Sequence, residues 1–294
     1  MSSAERLHKE DEHPRRSSTA SQHVKSPSGS SFVVQHNFSI LVINPNSSEH
    51  MTMGLKPILK DLMHPQLTLD FYTGSKTAPP SIDDEETSLA STNANIPAIL
   101  PLLSPSTPNE INPTLNGPYD AFLVACFSAH PLTRVLRDHT RVPVLNIFEA
   151  SLLHARALAL PFGIVTTGKY WEETLTNGVR EFFLGEKRDG LGVHHSEGDE
   201  IGQVRGFVGV RSTGLNASEL HSTPKDVVDW RIVEASAQLV RAGAQVIILG
   251  CAGMAGMESA VRTGAKNEGK EVRIIDGVRA GVVLLEGLVK SRVL

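Results

Sequence analysis

The chain has 294 residues, a formal net charge of −4 and only two cysteines, with 40% hydrophobic and 20% charged residues. This balance is ordinary for a globular protein and lacks the basic surplus of a nucleic-acid binder. Two cysteines cannot build a disulfide framework or a Cys-rich zinc site. The longest apolar run, residues 246–256, falls short of the ~20 residues that a bilayer-spanning helix needs.

Residues 1–30 are rich in Ser and mixed charges and contain no Phe, Ile, Tyr or Trp. Such a segment cannot bury enough surface to order itself, so residues 1–37 are expected to form a disordered extension without a catalytic role. No apolar stretch of secretory-signal length occurs there, and Glu5, Glu10, Asp11 and Glu12 are out of place in a transit peptide. The expected location is the cytosol, where both thiols stay reduced.

From Phe38 onward the elements alternate. A first strand over 39–43 ends in Asn44-Pro45-Asn46-Ser47-Ser48, and a second covers 67–72. A helix is expected over 84–103, although Pro97 and Pro101 work against it. A surface loop over 109–118 follows, then strands over 121–125 and 143–147. A fifth strand, 162–166, leads into an amphipathic helix marked by Trp171, Leu175, Val179 and Phe182. After a strand over 204–210, Thr223-Pro224-Lys225-Asp226 reads as an N-cap, a Pro at the first helical position and an acid at N3. Val228, Ile232, Ala235 and Leu239 recur at helical spacing, and Gly243 can end that helix in a left-handed conformation. Strands over 245–249 and 272–275 complete the set. Their apolar runs suit parallel strands buried on both faces, and the alternation implies βαβ units.

The eight strands divide into two sets of four. The first strand of each set ends in small polar residues, Asn46 and Ser47 in one and Thr166-Thr167-Gly168 in the other. The third strand of each ends in a cysteine, in Ala125-Cys126-Phe127-Ser128 and in Gly250-Cys251-Ala252-Gly253. Ile43 to Cys126 and Val165 to Cys251 are nearly equal spans. A free Cys often merely fills a core, but two thiols at matching positions beside small residues point to a ligand site. In open parallel sheets ligands bind beyond the carboxyl ends of the strands. Two facing halves would bring one thiol to each side of a cleft. One thiolate could then remove a proton α to a carbonyl while the opposite thiol returns one to the far face. Gly250, Ala252, Gly253, Ser47 and Ser48 are candidate backbone donors for the intermediate's charge. The same helix termini would lower the thiol pKa values.

Five segments carry a family resemblance: ILVINPNSSEHMT (40–52), ACFSAHPL (125–132), VPVLNIFEA (142–150), FGIVTTGKYWE (162–172) and VIILGCAGMAGM (246–257). In that order they resemble the aspartate/glutamate/hydantoin racemase superfamily, closest to its hydantoin racemase branch, including eukaryotic members linked to allantoin metabolism. The resemblance implies an α/β fold of two similar Rossmann-like halves with parallel sheets, related by a pseudo-twofold axis, with the active site in the cleft between them. The halves would span 38–150 and 151–294, with C-terminal elements able to cross to the first half.

It further implies a cofactor-independent isomerase with Cys126 and Cys251 as the catalytic pair. Asn46, Thr167 and the turn from Gly250 to Gly253 match substrate-holding positions, and Ser47, Phe127, Ser128 and Thr166 join them as binding candidates. The expected partner is a small-molecule substrate, a cyclic ureide such as a hydantoin or allantoin, with room for a homo-oligomer. The Asp-Ser-Gly, Cys-Asn-Thr and Gly-Cys-Thr-His turns of glutamate racemases are lacking, which sets an amino-acid substrate behind a ureide. The chain departs from the family after the first cysteine, where Ser128-Ala129-His130 stands in place of a frequent acidic residue. Rival readings are an amino-acid racemase, a diacid isomerase or decarboxylase on the same fold, and a ureide-binding regulatory protein without turnover.

The remaining candidates are weaker. His194-His195 lacks a Cys or acid pattern to complete a tetrahedral metal site, so no metal is expected. His130 lies near the proposed cleft, but capping or packing is its plainer role. Glu149 either faces the cleft or compensates a helix N-terminus. Gly250, Gly253 and Gly256 do not form a dinucleotide fingerprint and no phosphate-binding loop exists, so neither NAD nor ATP is expected. Asn-x-Ser sequons at Asn37, Asn46 and Asn216 mean little without a secretory context.

Overall fold

A computed structural model describes residues 37–103, 118–185 and 204–291. The expected disordered extension, most of the 109–118 loop and the His194-His195 pair lie outside the described residues. Within the described residues the elements run β1 (Phe38–Asn44), α1 (Glu49–Leu59), β2 (Leu67–Thr73), α2 (Glu85–Ile99), β3 (Ala121–Val124), α3 (Pro131–His139), β4 (Val144–Asn146) and α4 (Ile147–Leu158). They continue with β5 (Phe162–Thr166), α5 (Tyr170–Leu184), β6 (Phe207–Ser212), α6 (Glu219–Ser222), α7 (Lys225–Arg241), β7 (Val246–Leu249), α8 (Glu258–Asn267), β8 (Arg273–Asp276) and α9 (Gly277–Lys290).

The strands form two four-stranded sheets of one topology, β2-β1-β3-β4 and β6-β5-β7-β8, and every pairing is parallel. All eight strands expected from the apolar runs are present. The central strands β1, β3, β5 and β7 are buried along nearly their whole length, because helices cover both faces of a parallel sheet. The edge strands β2 and β6 differ, whereas the 3-residue edge strand β4 is buried throughout. β2 alternates buried and exposed positions in its first half, and β6 starts at Phe207, three residues later than expected, with most positions half-buried. An edge strand has only one covered neighbour, so an apolar run through both faces is not required there.

The helices begin and end largely on local chemistry. α2 opens on a capping box in which the Asp84 carboxylate accepts from the Thr87 N–H at 2.8 Å. It tolerates Pro97 and tightens into a 3₁₀ turn over Leu100–Leu103, where Pro101 falls. Thr223 does not cap α7 as the sequence suggested. It closes α6, and Pro224 precedes Lys225 with no side-chain cap. Gly243 does take the left-handed conformation, φ 101°, just beyond α7.

α9 packs on elements of the first half. Its Gly281 lies so close to Leu123 of β3 that a Cβ would meet Leu123 Cδ1 at 2.5 Å. Its Arg279 guanidinium forks onto Asp61 at 2.6 and 2.7 Å and also donates to Ile58 O at 2.6 Å. The 150/151 division suggested by sequence falls inside α4, which packs against α9, β4 and β8.

Candidate active site

Just before each cysteine the chain makes the same bond. Ala125 N donates to Ile43 O and Gly250 N donates to Val165 O, both at 2.7 Å. This extends the β1–β3 and β5–β7 ladders by one rung and turns Cys126 and Cys251 out at equivalent strand ends. Gly250 has no room for a side chain: a Cβ would lie 2.6 Å from Val165 O and 2.8 Å from Ile164 Cγ2. Its packing against β5 is thus the reason for a glycine at this point.

The segments following β1, β3, β5 and β7 together line one pocket of about 40 Å³. Pro45 and Asn46 come from the first, Ala125, Cys126 and Phe127 from the second, Thr167 from the third, and Gly250, Cys251 and Ala252 from the fourth. Met51, Ile82, Trp171 and Ala217 close the walls. Among the described residues the two thiols are the only ionisable side chains in this lining, which includes no Lys or Arg.

Of the residues singled out by sequence, Cys126, Cys251, Asn46, Phe127, Thr167, Gly250 and Ala252 line the pocket. Ser47, Ser128, Thr166 and Gly253 do not. Ser128 sits behind the first thiol, its Oγ 3.6 Å from Cys126 Sγ. Gly253 stands behind the second and donates its N–H to Cys251 Sγ at 3.3 Å. Thr166 Oγ1 donates to Gly250 O at 3.2 Å and ties the two strand ends together.

Most of the expected backbone donors are already engaged: Gly250 N with Val165 O, Ser47 N with Pro79 O, Ser48 N with Asn46 Oδ1 and Gly253 N with Cys251 Sγ. Among the described residues only Ala252 N of that group is left without a partner. The side chain of Asn46 supplies what those amides do not. Its Oδ1 accepts from Asn44 Nδ2 at 2.8 Å and from Ser48 N at 3.0 Å. These bonds fix the amide so that Nδ2 is the free end, whose recorded contact is Met51 Sδ at 3.3 Å. Gly74 holds this turn from beneath, donating to both Asn44 O and Asn46 O at 2.9 Å. A Cβ at Gly74 would lie 2.5 Å from Pro45 O.

The thiols are less acidic than the sequence suggested. Burial pushes Cys126 up to about 12 against the pull of Ser128, and pushes Cys251 up to about 11 against the Gly253 and Met254 amides. Desolvation of a thiolate outweighs a few hydrogen bonds in an enclosed site. Both sulfurs are therefore neutral near pH 7.

His130 and Glu149 serve helices. His130 caps α3, its Nδ1 accepting from Leu132 N at 3.2 Å, and its Nε2 meets Ser91 Oγ at 3.2 Å. Glu149 completes a capping box with Asn146 and pairs with Arg137 at 2.6 Å. No group of three or more His, Cys, Asp or Glu that could hold a metal occurs among the described residues, and no helix there is long and apolar enough to cross a membrane.

Two parallel-sheet halves of one topology, sharing a thiol-lined pocket at their strand ends, define a two-half α/β enzyme. Comparison with known proteins agrees. Residues 40–285 match the family model described as Asp/Glu/Hydantoin racemase. Uncharacterized protein C1F7.10 of Schizosaccharomyces pombe is 35% identical over 252 residues, covering 85% of this chain and 92% of that protein. The hydantoin racemase of Pseudomonas sp. (strain NS671) is 27% identical, covering 85% of each chain. The crystal structure of allantoin racemase from Pseudomonas fluorescens superposes with a TM-score of 0.66 at 23% identity, covering 86% of this chain and 91% of the other. The chain belongs to the Asp/Glu/Hydantoin racemase family and is an isomerase of racemase type.

Proposed function

We propose that this protein is a cofactor-independent racemase that inverts a carbon α to a carbonyl, using Cys126 and Cys251 from opposite sides, and that its substrate is a cyclic ureide of the hydantoin or allantoin kind. The observation that carries this reading is the pocket lining. Among the described residues its only ionisable groups are two thiols delivered by equivalent strands of two matched halves.

In the forward direction one sulfur, as thiolate, takes the proton from the α-carbon and becomes a thiol. The electron pair left behind moves into the adjacent carbonyl, giving a planar enolate. The other thiol then gives its proton to the opposite face and is left as the thiolate, so proton and charge balance and the product is the enantiomer. Asn46 Nδ2 and Ala252 N are the donors placed to meet the enolate oxygen, a role in which preorganised N–H groups contribute most in an enclosed site. Burial that raises both thiols leaves them as strong bases once one is ionised.

The ureide follows from the names of the similar hydantoin and allantoin racemases and from the lining, which offers no cation to a dicarboxylate. An amino-acid diacid or malonate-like substrate fits it less well. Two unpaired thiols suit a reducing compartment such as the cytosol.

The test is to incubate one enantiomer of a 5-substituted hydantoin, or of allantoin, with the protein in D₂O. Loss of optical rotation together with deuterium at the inverted carbon is the expected result; absence of exchange with every ureide and acidic amino acid would sink the proposal. Cys126→Ser and Cys251→Ser should each abolish net inversion while retaining exchange of a single enantiomer. Full inversion by both variants would remove the two-thiol mechanism.

A further inference from the structure

Met51 stands third in α1, in a first turn capped by Ser48, whose Oγ accepts from Met51 N at 3.3 Å. Its side chain lines the pocket and touches two parts of the site. Sδ accepts from Asn46 Nδ2 at 3.3 Å. Cε, at the far end of the thioether, lies 3.5 Å from where a Cβ on Gly253 would stand. That places it against the turn whose Gly253 amide holds Cys251 Sγ. The other apolar wall residues, Ile82, Trp171 and Ala217, are each no more than 7% exposed, whereas Met51 is half-buried. Met51 is thus the wall residue that solvent reaches. A methionine is unbranched and turns about three side-chain bonds, so a ligand can push it aside without disturbing the core.

This bridge lies where the substituent of the inverted carbon must go. In a five-membered cyclic ureide, the inverted carbon and the carbonyl that takes up its charge are neighbours in the ring. In the planar enolate, the oxygen and the substituent on the inverted carbon point outward side by side. Asn46 Nδ2 is the side-chain donor placed to meet that oxygen, and Cys251 works on the carbon. A side chain that touches the first and reaches the turn behind the second stands beside the substituent.

We infer that Met51 is a specificity-determining residue, whose bulk limits the substituent on the inverted carbon and favours a small group over an aromatic one. This inference rests on the racemase reading. Thioether sulfur is a weak acceptor, so an oxygen carrying developing charge takes the Asn46 donor from it. Bulk, and not the sulfur, is therefore what discriminates. A difference of one methylene in an apolar pocket already separates substrates by about tenfold or more.

The experiment measures kcat/KM for D₂O exchange of 5-methylhydantoin and 5-benzylhydantoin with wild type, Met51→Ala and Met51→Leu. Thermal melts establish that each variant is folded, and alanine suits a helical first turn. Wild type should prefer the methyl compound. Met51→Ala should move the ratio about tenfold towards the benzyl compound. Met51→Leu, which keeps the bulk and loses the sulfur, should leave the ratio close to that of wild type. A folded Met51→Ala with the wild-type ratio overturns the inference, as does a Met51→Leu that shifts it as far as alanine does. Calorimetric titration with the same two probes separates this failure from that of the racemase reading. Binding without exchange would defeat the racemase reading and leave Met51 to be judged by the ratio of the two affinities, whereas a wild type that binds neither probe removes both.

Discussion

Gly250 lines the pocket and matters there through the side chain it lacks. Its N–H is spent on Val165 O, and its missing side chain lets β5 approach closely enough to set Cys251. In Gly250→Ala the added methyl has backbone on one side, so the strand end must shift. Displacements of about 1 Å can cost on the order of a hundredfold in rate, and kcat/KM for hydantoin exchange should fall by about that factor. Asn46→Asp is the sharper probe of the donor assignment. It keeps size and shape but replaces the Nδ2 donor with an acceptor, so kcat should fall by about 10²–10³ with a smaller change in KM.

The thiols make a pH prediction whose sign is fixed by their environment. Cys126 and Cys251 are pushed up to about 12 and about 11, and the two-thiol proposal requires one of them to lose a proton for turnover. kcat/KM, which reports the free enzyme, should therefore keep rising beyond pH 9, with apparent values that belong to the pair. Stability has the opposite slope. The folded state holds these protons more tightly than the unfolded chain, so the contribution is complete below the ordinary thiol range and is lost as pH rises towards 11–12. Chemical denaturation midpoints across that range check it.

At the scale of elements, capping accounts for groups that the sequence placed ambiguously between chemistry and structure. His130 is buried and held down to about 4 by that burial while it caps α3. The unfolded chain takes up a proton near the usual histidine value and the folded one does not. Its stabilisation is thus complete above about pH 6.5 and lost as pH falls towards 4, on the order of 3 kcal/mol. His130→Asn, which keeps a capping acceptor, should flatten the acid limb of a stability–pH curve measured by urea denaturation.

The same elements mark what the sequence could and could not disclose. Central parallel strands are buried on both faces, so their apolar runs were legible, and the strand-end cysteines followed from them. Met51, Ile82, Trp171 and Ala217 were not: a residue in an apolar pocket wall has the same chemistry as one in the core, and Trp171 fell on the buried stripe of α5. Nor could a pattern of letters tell that the amides of Ser47, Gly250 and Gly253 were already bonded, because that depends on which strands lie alongside. The support of the turn by Gly74 and the Asn46 amide orientation are likewise products of tertiary contact.

At the scale of the whole molecule, the last helix binds the two halves into one body. α9 begins at the end of β8 in the second sheet, capped by Asp276 through Val278 N and Arg279 N at 2.8 and 3.0 Å. It then lies on α4 and on β3 of the first sheet. Gly281→Val would force branched carbon into the buried Leu123 side chain, an overpacking worth about 1–3 kcal/mol. The expected result is a lower melting temperature with one transition still observed, since disrupting this contact weakens both halves together. Two separate transitions in differential scanning calorimetry would show that the halves unfold independently.

The two sulfurs occupy equivalent strand ends yet have unlike neighbours, a hydroxyl at 3.6 Å behind Cys126 and a backbone amide at 3.3 Å behind Cys251. Mirror-image substrates, however, have identical free energies, so the equilibrium between them stands at unity whatever the enzyme does. Under the two-thiol reading the protein can therefore be lopsided in how tightly it holds each hand and in how fast it turns each over, but those inequalities must cancel. The two enantiomers should give different kcat and different KM values while sharing a single kcat/KM. A set of initial rates from both sides, measured by polarimetry, would expose the asymmetry of the halves through a constraint that belongs to the substrate alone.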